Sequence, residues 1–182
     1  GHMKLIVEKS RLNGTAAMPA SKSHTIRAVS IASLAQGRSF IRNPLHSADA
    51  EAAVRCYRAL GAQIDTSEPE LWKVDGTAGA VKAEGQTIDV ANSGTTLRIA
   101  MGSAALARRD RSVLFTGDQQ IRSRPVGPLA KSLEELGARC RSVHGNARPP
   151  IEIGGSLRGG STSIAATTSQ YLSSLLLCAP LA

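Results

Sequence analysis

Aromatic side chains are nearly missing from this sequence: one Trp, two Tyr and two Phe in 182 residues. Proteins that hold single-stranded nucleic acid stack its bases on aromatic platforms, so a chain this poor in them is a weak candidate for that class. Cysteine is scarce too. Cys56, Cys140 and Cys178 are odd in number, far apart and without a C-x-x-C pair, which argues against a zinc site and for reduced thiols in the cytoplasm. No apolar run approaches the length of a membrane-crossing helix. Carboxylates are outnumbered, 14 Asp and Glu against 22 Lys and Arg, and the net charge of +8 calls for an anionic partner. No run of basic residues exceeds Arg108-Arg109. Single Lys and Arg residues lie among Gly, Ser and Thr instead, which suits small phosphorylated ligands better than a polymer backbone.

What is present begins with Ser21 to Gly37, SKSHTIRAVSIASLAQG. It puts Lys22, Ser23 and Arg27 at the start of an expected helix, where unpaired backbone N–H groups and the positive end of the macrodipole favour an anion. Ser23 and Arg27 are four apart and share a face. Read alone, the stretch is an ordinary Ser cap followed by solvated charges. Its recurrence makes it a site candidate. Asn92 to Leu106 (NSGTTLRIAMGSAAL) repeats it without gaps, Ser23 falling on Gly94 and Arg27 on Arg98 at an offset of 98 − 27 = 71. A third copy starts at Thr167 (TTSQYLSSLLLCAPL), and Leu60-Gly61-Ala62 returns as Leu136-Gly137-Ala138. A period of this size marks a structural repeat.

The expected elements are a strand over Lys4–Glu8, a helix over 22–35, a strand over Arg38–Arg42, a helix over Ala50–Leu60 capped by Ser47 or Asp49, and strands near Ala62–Asp65, Leu71–Val74 and Thr87–Val90. The order then repeats with a helix over 94–107, a strand over Ser112–Thr116, a helix over 127–136 and strands near Arg139–Val143 and Ile151–Ile153. The fold class is therefore α/β, built of repeated β-α-β-α-β-β units, the third of them truncated at Ala182. Gly1-His2-Met3 reads as a tag remnant. Between strand and helix of the second unit, Thr116 to Pro128 (TGDQQIRSRPVGP) is expected to be a loop carrying Arg122 and Arg124. Arg124, held against Pro125, is the better candidate for bidentate contact with a carboxylate or phosphate.

Ser21-Lys22-Ser23 with Arg27, Asn92-Ser93-Gly94-Thr95 with Arg98, Arg124-Pro125, and Thr168-Ser169-Gln170 together resemble the N-terminal domain of 5-enolpyruvylshikimate-3-phosphate synthases. The resemblance implies an enolpyruvyl transferase fold of two domains, with residues 20–182 an incomplete first domain and 4–19 belonging to the second. It implies transfer of the enolpyruvyl group of phosphoenolpyruvate to the 5-hydroxyl of shikimate 3-phosphate, with no metal or organic cofactor, by a cytoplasmic monomer. Lys22, Ser23, Arg27, Thr168, Ser169 and Gln170 would bind shikimate 3-phosphate; Lys22, Gly94, Arg124 and Gln170 would line the phosphoenolpyruvate site. Lys22 would act electrostatically, the acid and base coming from the domain this chain lacks. Where many members carry Pro after the second-unit Arg, this chain has Ile99, a position that bears on glyphosate. Two other readings share related repeats: a UDP-N-acetylglucosamine enolpyruvyl transferase, expected to show Lys-Asn in place of Lys22-Ser23, and an RNA-end-binding module similar to the RNA 3′-phosphate cyclases.

Overall fold

The computed structural model describes residues 3–165 and 167–182. Gly1 and His2, two residues of the expected tag remnant, lie outside them, as does Ala166. In chain order the elements are α1 (Lys22–Leu34), β1 (Arg38–Arg42), α2 (Ala48–Ala59), β2 (Gln63–Glu68), β3 (Leu71–Asp75), β4 (Thr87–Asp89), α3 (Gly94–Ala104), β5 (Ser112–Thr116), α4 (Gln119–Ser123), α5 (Gly127–Glu135), β6 (Arg139–Ser142), β7 (Ile151–Gly154) and α6 (Ser169–Cys178), with a 3-10 turn at Ala179–Leu181. Strands β3 and β5 alternate inward and outward as half-buried strands must, turning Trp72 and Val74, and Val113 and Phe115, to the interior.

The strands form two sheets, ordered β1-β3-β2 and β4-β5-β7-β6; β4 and β5 run parallel, every other pair antiparallel. The second sheet reuses the plan of the first and adds β4. Turn chemistry shows the repeat most directly. After α2, Gly61 N–H donates to Arg58 O and Ala62 N–H to Tyr57 O; after α5, Gly137 donates to Glu134 O and Ala138 to Leu133 O, the same Schellman closure 138 − 62 = 76 residues later. Gly76 and Gly155 both lie where a Cβ would collide with a helix-end carbonyl, 2.0 Å from Ala35 O and 1.7 Å from Ala107 O.

Two expectations fail, and a third is narrowed. Lys4–Glu8 is not a strand: no described strand takes it as a neighbour, and Leu5, Ile6 and Val7 are 82%, 72% and 80% exposed. An isolated strand has no ladder to stabilise it. Residues 15–17, which stand before α1 as β4 stands before α3, form no strand either, so among the described residues the first unit has no counterpart of β4. Thr116 to Pro128 is not all loop, because Asp118 caps the five-residue helix α4. Of the two candidate caps of α2, Ser47 serves, its Oγ accepting from Ala50 N–H at 3.2 Å; Asp49 sits in the first turn and is free to meet Lys22.

At the centre, α3 buries Leu97, Ile99, Ala100, Met101 and Ala104 completely. Its contacts with α6 advance in step, Arg98 to Gln170 and then Gly102 to Ser174, so the two helices run parallel. Ser174 Oγ accepts from Gly102 N–H at 3.1 Å and lies 2.5 Å from where a Cβ on residue 102 would stand. Only glycine lets the helices approach this closely. The hydroxyl of Tyr57 on α2, also fully buried, joins Ser30 of α1 at 2.6 Å and Ser103 of α3 at 2.7 Å.

Tyr57→Phe leaves the Ser30 hydroxyl buried without its partner, and is expected to cost about 1–3 kcal/mol in a denaturant titration. Adding Ser30→Ala removes the orphan, so the double variant should lose clearly less than the sum of the two single changes; fully additive losses would contradict the network.

Candidate functional site

Each inner helix starts with a hydroxyl cap. Ser21 Oγ accepts from His24 N–H, Ser93 Oγ from Thr96 N–H and Thr168 Oγ1 from Gln170 N–H, each at 3.3 Å. The remaining first-turn amides have no intrahelical partner, as at any helix start. None of the three helices has an acidic residue in its first turn, whereas α2 has Asp49 and Glu51 there. The carboxylates that commonly compensate the positive end are thus absent from the first turns of the three helices whose starts come together. Arg27, six residues past its cap, reaches Ser173 of α6, five past its own, which puts the start of α1 level with that of α6.

Caps also correct the repeat register. From Ser21 to Ser93 is 93 − 21 = 72, not 71, so Lys22 rather than Ser23 corresponds to Gly94, and Arg27 to Ile99. Arg98 comes one residue earlier, about 100° around the helix, and it has different partners. Arg27 Nη1 donates to Ser23 Oγ at 2.9 Å while Nε and Nη2 reach Ser173 Oγ at 3.1 and 3.0 Å. Arg98 Nη1 donates to Gln170 Oε1 at 2.7 Å, and Gln170 Nε2 donates to Thr95 Oγ1 at 2.9 Å.

Gly94 is where guanidinium groups meet. Arg124 Nη1 lies 2.8 Å, and Arg98 Nη1 3.7 Å, from the point a Cβ on residue 94 would occupy. The close approach requires glycine. Arg124 gets there because Asp118 ties α4 to the start of α3: its Oδ1 caps Ile121 N–H, its Oδ2 accepts from Asn92 Nδ2, and its own N–H donates to Ala91 O. The hydrogen bond from Asn92, then that from Ile121 N–H, hold the Asp118 carboxyl below its usual range, with the charge of Arg124 a lesser cause. Tyr171 O–H donates to Pro125 O at 3.1 Å and presents its ring to Arg98 at 5.6 Å. Arg98 Nε is buried with no partner among the described residues.

Lys22 stands apart from this cluster, its Nζ 3.1 Å from Asp49 Oδ2; no described hydrogen bond joins it to Gly94, Arg124 or Gln170. Ser169 opens α6 and Thr168 is spent on capping it. Arg122 is exposed in the last turn of α4. Sequence reasoning left out of the site Arg98, Thr95 and Tyr171; the position of Arg98 one turn into a polar helix start, like Arg27, was a usable signal, whereas nothing around Tyr171 marked it. Ile99 is core, its carbonyl accepting from Ser174 Oγ, so it acts on the site only through the packing of α3. No group of three or more potential metal-ligating side chains occurs among the described residues. Burial pushes the thiols of Cys56 and Cys140 up to about 12 and of Cys178 up to about 11, which keeps all three from acting as thiolates near neutrality. What the arrangement can do is hold and orient anions.

The EPSP synthase (3-phosphoshikimate 1-carboxyvinyltransferase) family profile matches residues 6–182. The chain is 49% identical over 179 residues to a 3-phosphoshikimate 1-carboxyvinyltransferase of Acetivibrio thermocellus and 45% identical over 181 residues to that of Methanothermobacter thermautotrophicus, matching 98% of itself and 42% of each relative. Among solved structures it is similar to EPSP synthase from Acinetobacter baumannii, with a TM-score of 0.81 and 26% identity over 91% of this chain and 38% of that one. The chain thus spans less than half the length of the relatives it matches.

Gly94→Ala is expected to displace the Arg124 guanidinium and weaken binding of an anion at this place about tenfold or more, the loss of one charge-assisted hydrogen bond. Stability should hold, since alanine suits a helical first turn. Phosphate titration followed by amide shifts, with thermal melting as the control, checks both; unaltered binding would contradict the geometry.

Proposed function

The chain belongs to the EPSP synthase family, and from that premise we propose that it supplies one half of an enzyme that transfers the enolpyruvyl group of phosphoenolpyruvate to the 5-hydroxyl of shikimate 3-phosphate, a step of aromatic amino acid biosynthesis. The observation that carries the reading is the meeting of three helix starts, none with an acidic residue in its first turn, with Lys22, Arg27, Arg98 and Arg124 around them. Both substrates are multiply charged anions, and such a place holds them by amides, guanidinium forks and an ammonium together.

In this reading Lys22, Ser23, Arg27, Thr168, Ser169 and Gln170 hold shikimate 3-phosphate, while Lys22, Gly94, Arg124 and Gln170 line the phosphoenolpyruvate site. Gln170 suits a shared role because it is fixed from both sides, by Arg98 and by Thr95. Lys22 exchanges its contact with Asp49 for the substrates, aligns two anions and offsets the negative charge that grows as the hydroxyl adds to the enolpyruvyl carbon. The methylene carbon gains a proton in the addition, and elimination of phosphate together with a proton of the resulting methyl group then yields the enol ether. The acid and base belong to a second domain, of which residues 4–19 form a part; the exposure of Leu5, Ile6 and Val7 supports that division. Residues 20–182 belong to the first domain.

This chain alone is expected to show no enolpyruvyl transfer, since a one-sided site neither excludes water nor supplies the proton-transfer groups. It should still bind shikimate 3-phosphate weakly and in a salt-sensitive way, and Lys22→Ala and Arg27→Ala should each weaken that binding by about 1.5–3 kcal/mol in calorimetry. Absence of both heat and amide shifts at millimolar ligand would overturn the assignment.

A further inference from the structure

The opposite end of α3 carries a second concentration of positive charge. Arg109, Arg139 and Arg158 line a cavity of about 170 Å³ together with Gly137, Gly155 and Ser156. Arg139 is anchored there: its Nη1 donates to the carbonyl of Arg109 and, at 2.8 Å, to that of Gly155, so its remaining N–H groups are held in place. Arg158 is fixed through its backbone N–H on Leu136 O at 2.9 Å, and its Nε lies 3.2 Å from the Cβ position of residue 137. None of the three is in an ion pair among the described residues. Glu152 is already engaged by Arg141 and Ser112, whose hydrogen bonds hold its carboxyl below the usual range, with the charge of Arg139 a lesser cause.

The first unit provides an internal control. Ala35 corresponds to Ala107, Ala62 to Ala138, and Lys82 to Arg158, whose N–H groups close on Leu60 O and Leu136 O alike. At the places of Arg109, Arg139 and Arg158 the first unit therefore has Gly37, Gln63 and Lys82, and Lys82 is paired with Glu84 at 3.4 Å. The same turn, the same helix end and the same glycine contact form without these arginines. Holding the carbonyls of Arg109 and Gly155 accounts for one guanidinium, that of Arg139, and leaves Arg109 and Arg158 with no side-chain hydrogen bond among the described residues.

We propose that this cavity is a second oxyanion site, taking inorganic phosphate or the phosphate group of a small monoester. Guanidinium forks match tetrahedral oxyanions, and the volume is below the roughly 300–1,000 Å³ of organic-ligand pockets, as a compact anion requires. The eleven-residue helix α3 separates it from the helix-start site by about 16 Å, so the two sites are read independently. The guanidinium groups are exposed, which makes the binding weak and salt-dependent.

The test is an amide-shift titration of the chain with sodium phosphate at constant ionic strength, chloride making up the balance. Signals of Gly137, Gly155, Ser156 and Arg158 are expected to move as a set of their own, apart from those of Lys22 to His24 and of Gly94. Arg109→Gln with Arg158→Gln should weaken the first set about tenfold or more and leave the second unchanged; Arg109→Gln alone serves if the pair perturbs the fold. Methyl phosphate in a parallel titration separates the sources, equal shifts meaning that monoesters are taken and smaller ones that the free ion is preferred. Immobile signals, shifts that chloride reproduces, or shifts that persist in both variants would overturn the proposal.

Discussion

Three helix starts of the same partial charge share one end of the molecule, and much of the rest of the structure serves to hold them there. Each start carries the equivalent of about half a positive charge, so bringing α1, α3 and α6 level with one another is unfavourable by itself. What offsets it lies further along the helices, in the fully buried apolar face of α3, in the close approach of α3 and α6 at Gly102 and Ser174, and in the Ser30–Tyr57–Ser103 hydroxyl chain that binds α1 and α3 to α2. The carboxylates that would relieve the repulsion from within are missing from all three first turns. A ligand anion is then the natural counter-charge, and anything that binds the folded chain there also stabilises it.

The side chains follow the same logic. Gln170 is satisfied by two neighbours, Arg124 is aimed by α4 through Asp118, and Arg27 is braced on Ser173. Rotamers are settled before any ligand arrives, which lowers the ordering cost of binding. Lys22 is the exception. Its ammonium rests on Asp49 at the surface, where an exposed pair contributes little and exchanges partners readily.

Much of this was legible in the sequence because it rests on local chemistry. Helix starts follow from Ser21, Ser93 and Thr168, and the paired Leu-Gly-Ala turns from the left-handed backbone that Gly61 and Gly137 supply. The misses are equally physical. A gapless overlay slid by one residue because it matched Arg27 to Arg98 by type, whereas the caps define the helical register. Helix α4 escaped because five residues carry no periodicity and only Asp118 signals it. Lys4–Glu8 has the composition of a strand, but a strand needs a neighbour that composition does not reveal. Ser47 and Asp49 were both fit to cap α2, and only the geometry decides for Ser47 and leaves Asp49 to Lys22. The contacts of Arg98 with Gln170 and Tyr171, some 72 residues away, depend on how two helices dock, which no local pattern encodes.

The most direct measurement is a crystal structure of this chain grown with shikimate 3-phosphate. The account predicts the phosphate at the level of the helix starts, within hydrogen-bond distance of Ser23, Arg27 and the first-turn amides of α6, with Lys22 turned from Asp49 towards it and Arg124 still lying over Gly94. A ligand bound elsewhere, or an Arg124 swung away from Gly94, would contradict it.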